Sequence, residues 1–219
     1  GLVAVATRQA HVAPLLAARP EAMPHFVDDA VVLRSLAARA DVLALVPGLG
    51  RSDWSQTLFN AAMESGVPAV IDADGLNLLA STARPLPDAV LTPHPGEAAR
   101  LLDVDIATIE RNRFAAAAAL VEQYAAIVVL KGAGTIVAGP GETPVVIGAG
   151  NPGMASGGMG DVLTGVIAAL WAQAMPAFEA ACMGALLHSA AADVAVRDGG
   201  ERGLLASDLF AHIRHLINP

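Results

Sequence analysis

The residues best equipped for chemistry in this sequence end on Asp161. The run Asn151-Pro-Gly153-Met-Ala-Ser156-Gly157-Gly158-Met159-Gly160-Asp161 leads into the apolar helical stretch Val162–Leu170. Glycines just ahead of a helix let the backbone come close to a ligand. The first N–H groups of such a helix have no internal partner and stand at the positive end of its dipole, which makes an anion hole suited to phosphate. Asp161 lies at its mouth, where the dipole keeps it ionised and it can take the proton from a hydroxyl attacking a phosphoryl group. Positioning and electrostatics dominate that reaction. The plainer reading is an Asp cap behind a flexible turn, but Asn151-Pro-Gly153 feeding the run favours the ligand site. No Lys follows the glycines, so the run is not a Walker loop, and it does not match G-x-G-x-x-G.

Other connectors offer partners for it. Ile127–Leu130 reads as a strand followed by Lys131-Gly132-Ala133-Gly134-Thr135. A Lys at the carboxyl end of a strand can offset phosphate charge, and the two glycines permit close backbone contact. A solvated Lys on a turn is the alternative when the segment is taken alone. In Thr92-Pro-His94-Pro95-Gly-Glu97, Pro95 suits the first helical position and His94 the cap. The imidazole is then either incidental to a rigid turn or a hydrogen-bonding group for a polar substrate. No metal partner stands at helical spacing from it. Pro47-Gly48-Leu49-Gly50 is a further flexible connector, open to a ligand or simply the start of a helix at Ser52. Asp72 and Asp74 follow another strand. They could hold Mg²⁺ through water, but a turn with a cap explains them as well. Met63, Met154 and Met159 read as gap fillers.

The elements that must position these groups alternate. Short strands at Leu2–Ala6, Val42–Val46, Ala69–Ile71, Ala89–Leu91 and Ile127–Leu130 are rich in Val, Ile and Leu, as strands covered on both faces tend to be. Helical patterns cover Asp29–Ala40, Ser52–Ser65, Gly75–Ser81, Pro95–Leu102, Glu110–Tyr124, Asp161–Gln173, Ala177–Arg197 and Ser207–Ile217. This alternation predicts an α/β fold: a mainly parallel sheet with helices on both faces. Thr135–Ala138 and Val145–Ile147, flanking Gly139-Pro-Gly-Glu142, predict an added hairpin. In such sheets ligands bind outside the carboxyl ends of the strands, where the connectors lie.

Composition narrows the classes. The 219 residues are 54% hydrophobic and 16% charged, with 21 acidic against 13 basic side chains and a net charge of −8. A nucleic-acid partner, whose phosphates need clustered Lys and Arg, is not expected. Mean hydropathy is +0.53, so a membrane span must be considered. The uncharged stretch Thr143–Gly160 is too glycine-rich for a helix, and Val162–Phe178, interrupted by Thr164, Gln173 and Pro176, falls short of the roughly 20 apolar residues a span needs. No membrane segment is expected. One cysteine, Cys182, forms no internal disulfide, and no cleavable leader is visible; a cytoplasmic location is expected.

These connectors, in this order, resemble the ADP/ATP-dependent NAD(P)H-hydrate dehydratase family, the C-terminal module of nicotinamide nucleotide repair proteins within the ribokinase-like superfamily. The likeness runs through Gly1–Arg8, Pro47–Gly50, Asp72–Asn77, Thr92–Glu97, Leu130–Thr135 and Asn151–Leu163. It implies a three-layer α/β/α ribokinase-like fold over residues 1–219 as one domain, lacking the family's upstream first strand and helix. It also implies dehydration of the S-form of NAD(P)H hydrate to NAD(P)H, a lyase reaction in which ADP gives AMP and phosphate, or in which ATP is used, with Mg²⁺. Asp161 is then the catalytic base. Gly50, His94 and Asp161 contact the substrate, while Lys131, Gly132, Ala133, Gly134, Thr135, Gly158 and Gly160 hold the nucleotide. An N-terminal NAD(P)H-hydrate epimerase domain and homo-oligomerisation are further implications. Ser156 and Met159 stand where the family usually has Thr, and Val46 where a Gly is common. The alternatives are an ATP-dependent small-molecule hydroxyl kinase of the same superfamily and a nucleotide-binding module without turnover.

Overall fold

A buried strand with helices above and below it can be apolar at every position, and four segments of this chain are. In the computed structural model, which describes residues 1–46 and 48–218, they form four consecutive strands of a six-stranded sheet. Strands β3 (Leu43–Leu45), β4 (Ala69–Ile71), β5 (Ala89–Leu91) and β6 (Ile127–Leu130) pair in parallel, in chain order. The expected hairpin follows: β7 (Thr135–Ala138) and β8 (Val145–Ile147) extend the sheet antiparallel.

Strict alternation along the strands splits the core in two. Ile71, Leu91, Leu130 and Ile136 point to one face, against Leu76, Leu79, Leu120 and Tyr124. These come from α4 (Asp74–Ala80) and α7 (Arg113–Tyr124). Val70, Val90, Val129 and Val137 point to the other, against Leu163, Ile167, Ala181 and Ala185 of α8 (Met159–Trp171) and α9 (Ala177–Gly199). The result is the expected three-layer α/β/α arrangement. Helices α2 (Ala30–Ala37), α3 (Asp53–Glu64), α5 (Pro95–Leu102) and α10 (Leu209–Ile217) also lie close to where sequence patterning puts them.

Three features depart from expectation. The N-terminal strand does not join the main sheet. Instead β1 (Val3–Thr7) pairs in parallel with a strand the pattern did not reveal, β2 (Ala22–Phe26), in a separate two-stranded sheet, through helix α1 (Gln9–Ala18). Pro24 and His25 interrupt β2, and Pro14 interrupts an α1 that buries no residue, so neither shows a clean period. Next, the segment Glu110–Tyr124 is not one helix. Asn112 leaves the helical region at φ −149°, ending α6 (Ile106–Arg111) and capping α7 through the amide of Ala115. Finally, α9 is long and apolar enough to cross a membrane by length and composition, although it carries Glu179, Asp193 and Arg197. Half of that stretch is buried inside the protein, where Ala180, Ala181, Ala185, Ala191 and Ala192 pack against neighbours. Here it serves as a core helix.

Candidate active site

Chain direction puts the connectors after β3, β4, β5 and β6 at one edge of the sheet, and the structure gathers them around one buried carboxylate. Asp72, at the end of β4, is 2% exposed. Its Oδ1 accepts from Lys131 Nζ at 2.7 Å and its Oδ2 from Thr164 Oγ1 of α8 at 3.3 Å. The Lys131 ammonium, read from the sequence as a group to offset phosphate charge or as a solvated Lys on a turn, is therefore held in an ion pair, with Glu97 Oε2 at 3.7 Å as a second neighbour. The start of α8 crosses directly over the pair. A Cβ on Gly160 would lie 3.0 Å from Asp72 Oδ2 and 3.3 Å from Lys131 Nζ. A side chain at this position would crowd the ion pair.

Gly158, at φ +86°, ends the preceding loop and provides no side-chain cap for α8. The first bond of the helix runs from Val162 N to Gly158 O at 3.1 Å. The amides of Met159, Gly160 and Asp161 precede it and carry the partial positive charge of the helix end. The Asp161 side chain is exposed beside them and has no hydrogen bond or ion pair among the described residues. Contrary to the expectation from the dipole alone, its pKa is raised. Partial burial is the main cause and repulsion from Asp72 adds to it, while Lys131 offsets some of the shift.

His94 caps α5. Its Nδ1 accepts from the amides of Gly96 (3.0 Å) and Glu97 (3.3 Å), which fixes the proton on Nε2. The ring is about half exposed, with Nε2 3.5 Å from Glu97 Oε1. Glu97 in turn accepts from the His94 amide, closing a capping box. Asp74 occupies itself with the third connector. Its Oδ2 accepts from Gly48 N at 3.0 Å and Gly50 N at 2.9 Å, and both glycines have positive φ. Ser55 Oγ holds the carbonyl of Leu49 between them. Pro47, which opens that motif, lies outside the described residues. Both acidic side chains after β4 are thus engaged by protein donors, and among the described residues no cluster of three His, Cys, Asp or Glu could hold a metal ion.

Several groups in this assembly were not legible as site residues. Asp193 of α9 accepts from Gly150 N (2.9 Å) and Asn151 Nδ2 (3.0 Å), while Asn151 Oδ1 caps the amide of Gly153, so the loop before α8 is fastened to α9. Ser156 Oγ donates to Leu204 O at 3.2 Å and is spent on anchoring the loop. Met159 packs inward with Ala191, Ala192, Leu204 and Leu209, as a gap filler, so a side chain at that position faces the core and not the ligand. His188 of α9 is buried near these groups. Its pKa is pushed down to about 4, mainly by burial and also by Lys131, with a backbone bond to Met159 opposing, and its Nε2 has no protein partner. Gly153 passes so close to the 201 segment that a Cβ would sit 2.5 Å from Glu201 O. Gly153→Ala is expected to lower stability by about 1–3 kcal/mol through overpacking against backbone, read as a shift in urea midpoint at unchanged slope.

The chain is 50% identical over 219 residues to the bifunctional NAD(P)H-hydrate repair enzyme Nnr of Coxiella burnetii, all of this chain matching 45% of that protein. The chain therefore spans less than half the length of this curated relative. Among solved structures, a ribokinase-like superfamily protein of Enterococcus faecalis superposes with a TM-score of 0.87 at 29% identity, covering 99% of this chain and 76% of that one. The ADP/ATP-dependent NAD(P)H-hydrate dehydratase of Bacillus subtilis, crystallised with ATP and Mg²⁺ and soaked with CoA, superposes at 0.84 with 26% identity, covering 99% and 80%. The model of the NAD(P)H-hydrate dehydratase family matches residues 1–215, and the chain belongs to that family.

Proposed function

We propose that this chain dehydrates the S-form of NAD(P)H hydrate to NAD(P)H, using ADP as phosphoryl donor and releasing AMP and phosphate. The observation that carries this reading is that, among the described residues, the amides at the start of α8 have no backbone partner and the Asp161 carboxylate beside them has no hydrogen bond or ion pair. Hydroxide leaves a ring carbon poorly, and phosphate leaves well. Asp161 takes the proton of the ring hydroxyl as its oxygen bonds to the terminal phosphorus of ADP and the bond to the AMP oxygen breaks. The ring nitrogen then expels phosphate, and loss of a neighbouring ring proton restores the double bond.

The protein's part is electrostatic preorganisation toward the moving charge. The amides of Met159–Asp161 receive the transferred phosphoryl, and the loop Lys131–Thr135 holds the nucleotide. His94 Nε2–H and the Gly48–Gly50 connector face the substrate. A raised pKa suits Asp161 to its role, because a more basic carboxylate is a better proton acceptor. Mg²⁺ enters as the nucleotide complex, since Mg²⁺ is usually bound by substrate phosphates with one or two carboxylates, and it neutralises phosphate charge when bound. The bifunctional name of the Coxiella relative supports an N-terminal NAD(P)H-hydrate epimerase as this chain's working partner. Exposed Val3, Met23 and Phe26 support self-association.

The test is to mix the protein with NADPH hydrate, Mg²⁺ and either ADP or ATP and follow reduced-nicotinamide absorbance. Recovery of absorbance with stoichiometric phosphate release is expected. Phosphorylation of an unrelated alcohol in place of recovery would assign the site to a kinase.

A further inference from the structure

The loop Lys131–Thr135 is exposed at Gly132 and Ala133, and Ala133 and Gly134 border an open hollow of about 400 Å³, so side-chain packing does not wedge it in place. One side chain does hold it. Arg113, the first residue of α7, lays its guanidinium across the loop's carbonyls. Nη1 donates to the oxygens of Ala133 (2.6 Å) and Gly134 (3.0 Å), and Nη2 to those of Leu130 (3.0 Å) and Lys131 (3.3 Å). Gly132, at φ +145°, makes room for it: a Cβ there would lie 3.0 Å from Nη2.

This placement is unfavourable by every local criterion. A cation in the first turn of a helix opposes the helix dipole. No carboxylate pairs with Arg113 among the described residues. Its Nε is buried without a protein partner. What the guanidinium obtains is the four carbonyls. In a trans peptide the C=O and the following N–H point in opposite directions. Drawing the oxygens of residues 131 and 133 toward Arg113 therefore turns the N–H groups of Gly132 and Gly134 to the other side of the loop. The Lys131 amide is already spent on Pro93 O.

We infer that Arg113 is a positioning residue for nucleotide binding: its planar fork gathers the carbonyls of residues 130, 131, 133 and 134 behind the loop and so presents the amides of Gly132 and Gly134 to the phosphates or ribose. The inference rests on the reading that this loop holds the nucleotide. Lys cannot substitute, because an ammonium is a point donor with no fork to span several peptide units.

The experiment titrates Mg-ADP by calorimetry into wild-type protein, Arg113→Lys and Arg113→Ala, with thermal midpoints recorded and methylguanidinium added at concentrations well below denaturing. Both variants are expected to bind ADP weaker by about tenfold or more, the effect of losing charge-assisted hydrogen bonds. In the hydrate assay the loss falls on the KM for ADP, with kcat at saturation nearly unchanged. Methylguanidinium restores affinity to Arg113→Ala and leaves the wild type unaffected. Unchanged ADP affinity in both variants overturns the inference, as does a loss that methylguanidinium fails to restore and that tracks a fall in thermal midpoint. A wild-type protein that takes up no ADP overturns the nucleotide reading and the inference together, so the wild-type titration tells the two failures apart.

Discussion

Asp161→Asn is expected to lower kcat by about 100- to 10,000-fold, the usual contribution of a positioned general base, while ADP affinity stays close to wild type. Asparagine keeps the shape and the polar contacts but cannot accept the proton. Stability should move the other way. Burial and the charge of Asp72 raise the Asp161 pKa above its ordinary 3.8, so the fold disfavours the ionised form. For a carboxylate the sign follows directly: the penalty is absent below pH 3.8, grows as pH rises through the raised folded value, and is constant above it. The asparagine variant should therefore unfold at a higher temperature than wild type at neutral pH, with the advantage vanishing in acid. Melting curves at several pH values check this, and the acid limb of the wild-type kcat profile should lie above pH 3.8. Turnover unchanged in the variant would remove Asp161 from the mechanism.

Lys131→Met should produce the largest loss of stability among site variants. It leaves Asp72, 2% exposed, without its cation and with only the Thr164 hydroxyl as side-chain donor. Breaking a buried pair by removing one partner costs about 3–5 kcal/mol, and partial solvent access to the ammonium places this case near the lower figure. In a domain of this size about 3 kcal/mol corresponds to a fall of about 6–12 °C in Tm. Adding Asp72→Asn to the same chain should recover most of the loss, because both charges are then gone and the Thr164 contact survives. A double variant no more stable than Lys131→Met would show that the damage lies in packing and not in the orphaned carboxylate.

Local signals in the sequence reached far into the fold and stopped at long-range partners. The four parallel strands of the main sheet were visible because every position in them is apolar. The glycine run before α8 was visible because close backbone approach needs glycine, and Gly160 shows why. β2 and α1 were hidden because Pro14, Pro24 and His25 disrupt any period, and because α1 buries nothing that a period could report. In the candidate site, Asp161, Lys131 and the glycines beside them were picked out by type and position, while His94 and Gly50 entered as substrate contacts only through the family resemblance. Their supports were not picked out. Thr164 meets Asp72 across 92 residues of chain, Asp193 meets Asn151 across 42, and Arg113 meets Ala133 across 20. An Arg one residue past a helix cap and an Asp in the middle of a core helix carry no local mark of what they touch. The two acidic residues after β4 read as metal candidates for the same reason: nothing nearby in sequence announces the lysine and the glycine amides that occupy them.

The fastening of the glycine loop to α9 has a temporal consequence. Asp161 leaves the ribosome well before Asp193 and Leu204, the two groups that clamp its loop. A nascent chain thus possesses Asp161 before it possesses the brace that shapes the surrounding amides.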